Sequence, residues 1–147
     1  MLATLWHHTI IAMLAPAAPV ITAPPDPCAL VTVAEVETVI GRLKGAPKRA
    51  AEGSAAWCDY QFANGTDAFE VWVFPADGIE RGRKQSKKPI PVKGLGDDAF
   101  LERGMHGLAY INLFIKKGNT TIQLSLQESP GDEAKIRSLG GKAVGRF

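Results

Sequence analysis

Two pairs of alternating apolar and polar segments, each joined by a short turn, constrain the fold of this chain most strongly. In the first pair, "AWCDYQFA" and "DAFEVWVF" flank Asn64-Gly65, and in the second, "LAYINLFIKKG" and "TTIQLSLQE" flank Gly118-Asn119. Asn and Gly adopt the positive φ that tight hairpin turns require. The sequence therefore predicts two antiparallel β-hairpins.

The alternation also predicts which side chains enter the core. In the first hairpin Cys58, Tyr60 and Phe62 share one face, and Asp59 and Gln61 share the other. The last strand alternates most cleanly, with inward Ile122, Leu124 and Leu126 and outward Thr121, Gln123, Ser125 and Gln127. Because successive strand residues point to opposite faces, one face of the sheet is expected to be solvated or covered by something polar.

Helices are predicted at both ends of the domain. Thr32 and Glu35 form a capping box, and apolar residues recur at helical spacing over residues 33–40 before Gly41. The tail from Ser129 to Phe147 reads as a closing helix, and Gly140-Gly141 leaves open whether that helix breaks.

The segments between these elements carry weaker signals. "LKGAPKRAAEGSAA" has no periodicity and is interpreted as a linker, "PADGIERGRKQSKKP" as a loop with a short helix, and "AFLER" as a fifth strand. The fold class is therefore α+β. We expect a mainly antiparallel sheet of about five strands, with a short N-terminal helix and a C-terminal helix packed on it, as one domain over residues 26–147.

The first 23 residues contain no Lys, Arg, Asp or Glu, although the chain has 17 basic and 15 acidic residues. An apolar run followed by Pro and small residues is typical of a secretory signal peptide. Pro16 and Pro19 interrupt the run and disfavour a stable membrane-spanning helix. We therefore expect residues 1–23 to be a signal peptide and the protein to be exported (periplasmic or secreted), with no transmembrane span after processing. An unprocessed disordered leader or a misplaced start codon is the alternative.

The chain has two cysteines, Cys28 and Cys58. An oxidising compartment favours a disulfide between them, and a bond closing this loop stabilises a fold by about 3–4 kcal/mol in the chain-entropy model. Their spacing is not the CxxC of a redox motif. A zinc site would have few ligands far apart in sequence, so neither a metal nor a cofactor is predicted.

The segment "PVKGLGDDAF", Pro91 to Phe100, could be a phosphate loop, a calcium loop, an acid/base pair or a turn. It lacks the order of a P-loop and the alternating ligands of a calcium loop. Adjacent Asp97 and Asp98 point to opposite faces of an extended chain. A turn is favoured, with its glycines at positive φ and an Asp capping it.

No catalytic residue is predicted. His106 lies between glycines in "RGMHG", which is predicted to be a hairpin turn, and no serine occupies a Gly-x-Ser-x-Gly elbow. Strand aromatics such as Trp57, Trp72, Phe74 and Tyr110 could line a pocket, but core packing is their commoner role. An enzyme whose site is assembled from scattered residues stays open.

The basic run "RGRKQSKK" is the candidate binding site, with residues Arg81, Arg83, Lys84, Lys87 and Lys88. Such a run can bind an anionic surface, and a solvated loop is the alternative. The net charge of +2 is too small to indicate nucleic acid. No aromatic residue is interleaved in the run to stack bases, which disfavours single-stranded nucleic acid in particular.

Four segments together, "DPCALVTVAEVETVIG", "CDYQF", "GLGDDAF" and "IKKGNTTIQLSL", carry a resemblance. The chain from Asp26 to about Phe147 resembles small exported bacterial domains of unknown function, many of them lipoproteins. The resemblance implies an α+β sandwich of the PsbP-like kind with Cys28 bonded to Cys58, and it supplies no catalytic residue. This chain departs from the group in lacking a lipidation cysteine.

The sequence thus favours an exported, disulfide-bonded, non-enzymatic binding domain that uses the sheet face or the basic run. Its expected partner is an unknown protein or an anionic component of the cell envelope. The alternative is a small inhibitor of a secreted hydrolase that docks the loop Gly94–Asp98 into an active site.

Overall fold

A computed structural model describes residues 23–65, 68–104, 109–127 and 129–147 of the chain. The predicted signal peptide, apart from Ala23, and the predicted turn around His106 lie outside the described residues. The elements, in chain order, are α1 (Pro27–Leu30), α2 (Val33–Val39), β1 (Lys48–Glu52), β2 (Ala55–Gln61), β3 (Ala68–Pro75), α3 (Gly78–Gln85), β4 (Ile90–Pro91), β5 (Asp98–Arg103), β6 (Tyr110–Lys117), β7 (Thr120–Gln127) and α4 (Asp132–Val144).

Within the described ranges the strands form one seven-stranded sheet in the order β1-β2-β3-β7-β6-β5-β4, and every neighbouring pair is antiparallel. The α+β class and both predicted hairpins, β2–β3 and β6–β7, are confirmed. The expected count of about five strands was too low. The segment interpreted as a linker contains β1, and the loop before β5 contains the short strand β4.

The two missed strands lie at the edges of the sheet. β1 contains no large apolar residue, and four of its five side chains are exposed. An edge strand of this kind is held by backbone hydrogen bonds to its single neighbour rather than by burial. Its sequence therefore lacks the apolar alternation by which the central strands are recognised.

The main core lies between one face of the sheet and three helices, α1, α2 and α4. The inward residues predicted for β2 and β7 are buried there, from Cys58 and Tyr60 to Leu124 and Leu126. Cys28 and Cys58 form a disulfide, with their Cα atoms 5.1 Å apart, and it links α1 to β2. The buried Tyr60 hydroxyl adds a second link by donating a hydrogen bond to the Val31 carbonyl at 2.6 Å.

The predicted capping box starts α2. Glu35 N donates to Thr32 Oγ1 at 3.3 Å, and Thr32 N donates to the Glu35 carboxylate at 2.9 Å. The helix ends at Val39, close to the predicted end, and Gly41 follows at a φ of 156°.

α4 continues without a break through Gly140 and Gly141. Gly140 is buried against β6, and a Cβ atom at this position would lie 2.5 Å from Leu113 Cδ2. A Cβ atom on Gly141 would have its nearest neighbour at 4.0 Å. Gly140 therefore permits the close approach of α4 to the sheet, which compensates for its low helix propensity.

α3 packs on the opposite face of the sheet and covers only one end of it. Ile79 of α3 forms a second, small core with Phe100 of β5 and Phe114 of β6. Thr121 and Ser125 of β7, expected to face outward, are buried on this side. The cover over this end is thus partly apolar, whereas a solvated or polar face was expected. The part of this face that α3 leaves uncovered is called the open face below.

Candidate binding face

A row of three aromatic rings lies on the open face. The β2–β3 register pairs Trp57 directly with Trp72, and Phe74 follows Trp72 on the same side of β3. The Trp57 and Trp72 ring centroids are 4.6 Å apart with an interplanar angle of 19°, and those of Trp72 and Phe74 are 5.9 Å apart at 5°. We call Trp57, Trp72 and Phe74 the aromatic row. All three side chains are half-buried.

Polar contacts orient the middle ring of the row. Trp72 Nε1 donates a hydrogen bond to Glu70 Oε2 at 2.8 Å. The cross-strand neighbour of Trp72 on β7 is Gln123, whose Nε2 donates to Asn112 Oδ1 at 3.1 Å. Ser125 Oγ donates to the same oxygen at 2.7 Å. These bonds fix the buried polar residues of β6 and β7 that lie beside the row.

The outer ring of the row has less cover. On the side away from Trp72, the register neighbour of Trp57 is Ala50 of the edge strand β1. A methyl side chain covers little of an indole ring. No described residue accepts a hydrogen bond from the Trp57 indole N–H. The unbonded N–H group of Trp57 is not among the buried polar atoms of the described residues, so it is accessible to a ligand, and the outer side of the ring has only the small Ala50 as its register neighbour.

A groove of about 270 Å³ adjoins the inner end of the row. It runs between α3 and the turn that joins β1 to β2, and Phe74 and Phe114 form its apolar wall. Its polar rim consists of Glu52, Ser54, Arg81 and Gln85. The groove and the aromatic row share Phe74, so they form one continuous surface.

Two glycines of α3 determine how close this helix lies to the sheet. A Cβ atom on Gly78 would lie 2.6 Å from Phe74 Cβ, and one on Gly82 would lie 2.6 Å from Phe114 Cε1. Their i,i+4 spacing places both on the same side of α3. The groove therefore depends on two glycines inside a segment that the sequence marks as basic and polar.

The five basic residues predicted as a binding site do not form one patch. Arg83 faces the sheet: Nη2 donates to both oxygens of Asp98, at 2.9 and 2.8 Å, and the guanidinium lies 5.2 Å from the Phe100 ring centroid. Arg81 lies on the groove rim, with Asp77 at 3.5 Å. Arg83 is thus engaged within the protein, whereas Arg81 remains close to the candidate face.

The remaining basic residues of the run, Lys84, Lys87 and Lys88, are exposed. None of the three forms a hydrogen bond or an ion pair with a described residue. They stay available to an anionic partner, and their binding role stays a prediction.

The segment Pro91 to Phe100, with its two glycines and two aspartates, forms a turn whose two carboxylates bind other residues of the protein. Gly94 and Gly96 have φ values of 80° and 61°. Asp97 Oδ2 accepts a hydrogen bond from Gly118 N at 2.7 Å, so this carboxylate caps the turn between β6 and β7. Asp98 points to the other face and binds Arg83. Both carboxylates bind within the protein, but the predicted Asp cap acts on the β6–β7 turn rather than on the turn of its own loop.

The shifted pKa values belong to groups that join the helices to one another and to the sheet. Hydrogen bonds from Arg146 lower the pKa of Glu35 to about 2, and burial raises the pKa of Tyr60 to about 12. Hydrogen bonds from Arg137 and Arg103 lower the pKa of Glu133. These three groups lie away from the aromatic row, and each shift has a structural partner or burial as its cause.

A depression of about 440 Å³ lies beside Arg103 at the start of α4. Glu133 at its rim is engaged by Arg103 at 2.7 Å and by Arg137 at 2.8 Å. The carboxylate of Glu133 is thus already paired within the protein, so the open face is the stronger candidate. Across the described residues no cluster of His, Cys, Asp and Glu could hold a metal ion. No helix in that part of the chain is long and apolar enough to cross a membrane.

Sequence reasoning assigned Trp57, Trp72 and Phe74 to the core as their commoner role, and it missed the groove. The Asn-Gly turn does indicate that the two tryptophans belong to adjacent strands.

Comparison with family models, with curated proteins and with solved structures finds no match to this chain.

Proposed function

We propose that this protein is a non-enzymatic binding domain of an exported compartment, and that the open face is its binding surface. The observation that carries the proposal is the aromatic row, with Trp57 stacked on Trp72 at 4.6 Å and one indole face left without a large neighbour. Half-buried tryptophans beside a polar rim are typical of binding surfaces, because they supply large contact area at a small cost in side-chain entropy.

Three further features support the proposal. The disulfide between Cys28 and Cys58 is compatible with an oxidising compartment. The groove beside the row presents an apolar wall and a polar rim, the usual composition of a ligand site. The perturbed carboxylates Glu35 and Glu133 each bind arginine, so they do not form an acid/base pair.

The second candidate, inhibition of a secreted hydrolase through the loop Gly94–Asp98, has no comparable support. An inhibitory loop must present side chains to the active site of its target. Here Asp97 and Asp98 bind within the protein, and Leu95 packs partly against the core. Membership in the group of small exported bacterial domains is likewise part of the proposal.

Sedimentation of the purified chain with envelope preparations from its own cells tests the binding function. Trp57→Leu removes the outer ring, and the triple variant Lys84→Glu, Lys87→Glu, Lys88→Glu reverses the exposed charges. We expect Trp57→Leu to reduce the bound fraction and the triple variant to retain it. Val33→Ala is the matched control, because Val33 is an apolar side chain of α2, 40% exposed and remote from the open face.

The results decide whether the open face or the exposed basic residues form the binding surface. Loss of binding only in the triple variant would move the function to the basic residues. Binding unchanged in both variants, or absent from the wild type, would contradict the proposed function. Export is tested by the intact mass of protein recovered unreduced from its own compartment. The expected mass lacks the leader and the two thiol hydrogens.

A further inference from the structure

The chemistry of the open face restricts the ligand it accepts. The outer face of the Trp57 ring is flat, apolar and electron-rich, and its neighbour on β1 is Ala50. An electron-rich ring face attracts weakly positive C–H groups. The flat faces of a pyranose ring carry such C–H groups, while its hydroxyls point outward around the rim. A sugar ring therefore fits Trp57 better than a flexible alkyl chain does.

The polar groups around the row and the groove match hydroxyls rather than a net charge. The rim of the groove offers a carboxylate, a hydroxyl, a guanidinium and an amide, from Glu52, Ser54, Arg81 and Gln85. The unpaired indole N–H of Trp57 adds a donor, counted over the described residues. Hydroxyls both donate and accept hydrogen bonds, so each of these groups can bind one.

The distribution of charge disfavours an anionic ligand at this face. On β1, β2 and β3, the residues that share the face with the row include three carboxylates, Glu52, Asp59 and Glu70, and one lysine, Lys48. Arg81 is the basic side chain on the groove rim, and Asp77 lies 3.5 Å from it. These carboxylates would repel a polyanion. The exposed Lys84, Lys87 and Lys88, which could attract one, are not part of the groove rim. A neutral ligand meets no such cost.

The size of the groove also favours a small ligand. Its volume of about 270 Å³ is just below the usual range for small-molecule sites, roughly 300–1,000 Å³. One small ring system fills such a groove, while further rings would extend along the aromatic row. A protein partner would instead require about 800 Å² of buried surface on each side.

We propose that the open face binds a neutral oligosaccharide, with one sugar ring against the outer face of Trp57 and the rest of the oligosaccharide extending toward the groove rim, where Arg81 and Gln85 lie. This inference rests on the proposed binding function and gives its ligand class.

Titration of the full chain with cellotriose, maltotriose and triacetylchitotriose tests the inference. All proteins carry Trp6→Phe, which leaves Trp57 and Trp72 as the tryptophans that report. The readouts are tryptophan fluorescence and the indole N–H signals in NMR spectra. At least one oligosaccharide, or the neutral glycan fraction of the cell's own envelope, is expected to produce a saturable change.

The variants separate ring stacking from mere apolar contact. Trp57→Leu is expected to weaken binding about tenfold or more, and Trp57→Phe by less, because phenylalanine keeps a ring face. Arg81→Gln is expected to weaken binding as well, whereas Lys84→Gln and Val33→Ala leave it unchanged. Thermal unfolding of each variant shows that it is folded.

The outcomes distinguish the ligand class from the binding function. If no neutral glycan changes the indole signals, or if Trp57→Leu binds as well as the wild type, the ligand class is wrong. Envelope sedimentation that still depends on Trp57 would then leave the binding function standing with another ligand, such as an extended peptide paired with β1. A saturable response of the indoles to polyphosphate alone would replace the neutral ligand with an anionic one. If sedimentation is also insensitive to Trp57→Leu, both proposals fall.

Discussion

Arg146, next to the last residue, forms a bidentate ion pair with Glu35 of α2, with nitrogen–oxygen distances of 2.7 and 2.8 Å. The same guanidinium donates to the Leu30 carbonyl of α1 at 2.8 Å. Glu35 therefore takes part in one local contact, the capping box of α2, and in one contact with a residue 111 positions away in the sequence. One side chain links the N-terminal helices to the C-terminal end of the chain.

Glu35→Gln is expected to lower the free energy of unfolding at neutral pH by about 1–3 kcal/mol. Because the pKa of Glu35 falls from 4.5 to about 2 on folding, its ionised form is stabilised by the fold. That contribution is complete above pH 4.5 and is lost as the pH falls toward 2. The difference between wild type and variant should therefore shrink over that interval in urea unfolding. A difference that stays constant from neutral pH to pH 3 would contradict this origin, and Glu52→Gln provides a control carboxylate.

Gly140→Ala and Gly141→Ala are expected to change stability in opposite directions. Alanine at 140 would place its Cβ 2.5 Å from Leu113 Cδ2, and such overpacking costs about 1–3 kcal/mol. Alanine at 141 meets no close atom and should stabilise α4 by about 0.5–1 kcal/mol. Thermal unfolding of the two variants measures both effects. Equal changes in the two proteins would mean that α4 does not approach β6 as described.

Loss of the disulfide is expected to destabilise the fold by about 3–4 kcal/mol, because a closed loop restricts the unfolded chain. The double variant Cys28→Ala, Cys58→Ala tests this by urea unfolding, with reduced wild type as the second comparison. Cys58 is fully buried, so part of the loss in the double variant comes from the missing sulfur atom. Reduction of the wild type with no loss of stability would show that the bond does not hold α1 on the sheet.

Arg83→Gln should lower stability by about 1 kcal/mol, whereas Lys84→Gln should leave it unchanged. Arg83 binds both oxygens of Asp98 and lies over Phe100, and a partly exposed pair of this kind with a cation–π contact contributes about that amount. Lys84 has no ion pair with a described residue. Chemical denaturation at low and high salt checks the prediction, since salt should reduce the effect at Arg83. Equal effects in the two variants would mean that Arg83 is as solvated as Lys84 and that its contacts with Asp98 and Phe100 do not stabilise the fold.

Much of the fold follows from signals within a few residues of one another. The capping box of Thr32 and Glu35, the turns at Asn64-Gly65 and Gly118-Asn119, and the period-two alternation of β7 each form through local contacts. The sequence accordingly predicted α2, both hairpins and the buried face of the sheet. The pairing of Cys28 with Cys58 also followed, because the chain has only these two cysteines.

Features that depend on distant partners were decided by the tertiary structure. β1 is a strand because β2 pairs with its backbone, and its small and charged side chains gave no sign of this. Gly140 stays helical because β6 packs against it, and Arg83 lies apart from its basic neighbours because Asp98 faces it. The open face arises the same way, since α3 covers only one end of the sheet. Local chemistry thus determined α2 and the central hairpins, while long-range packing determined the edge strands and decided which side chains remained free to bind.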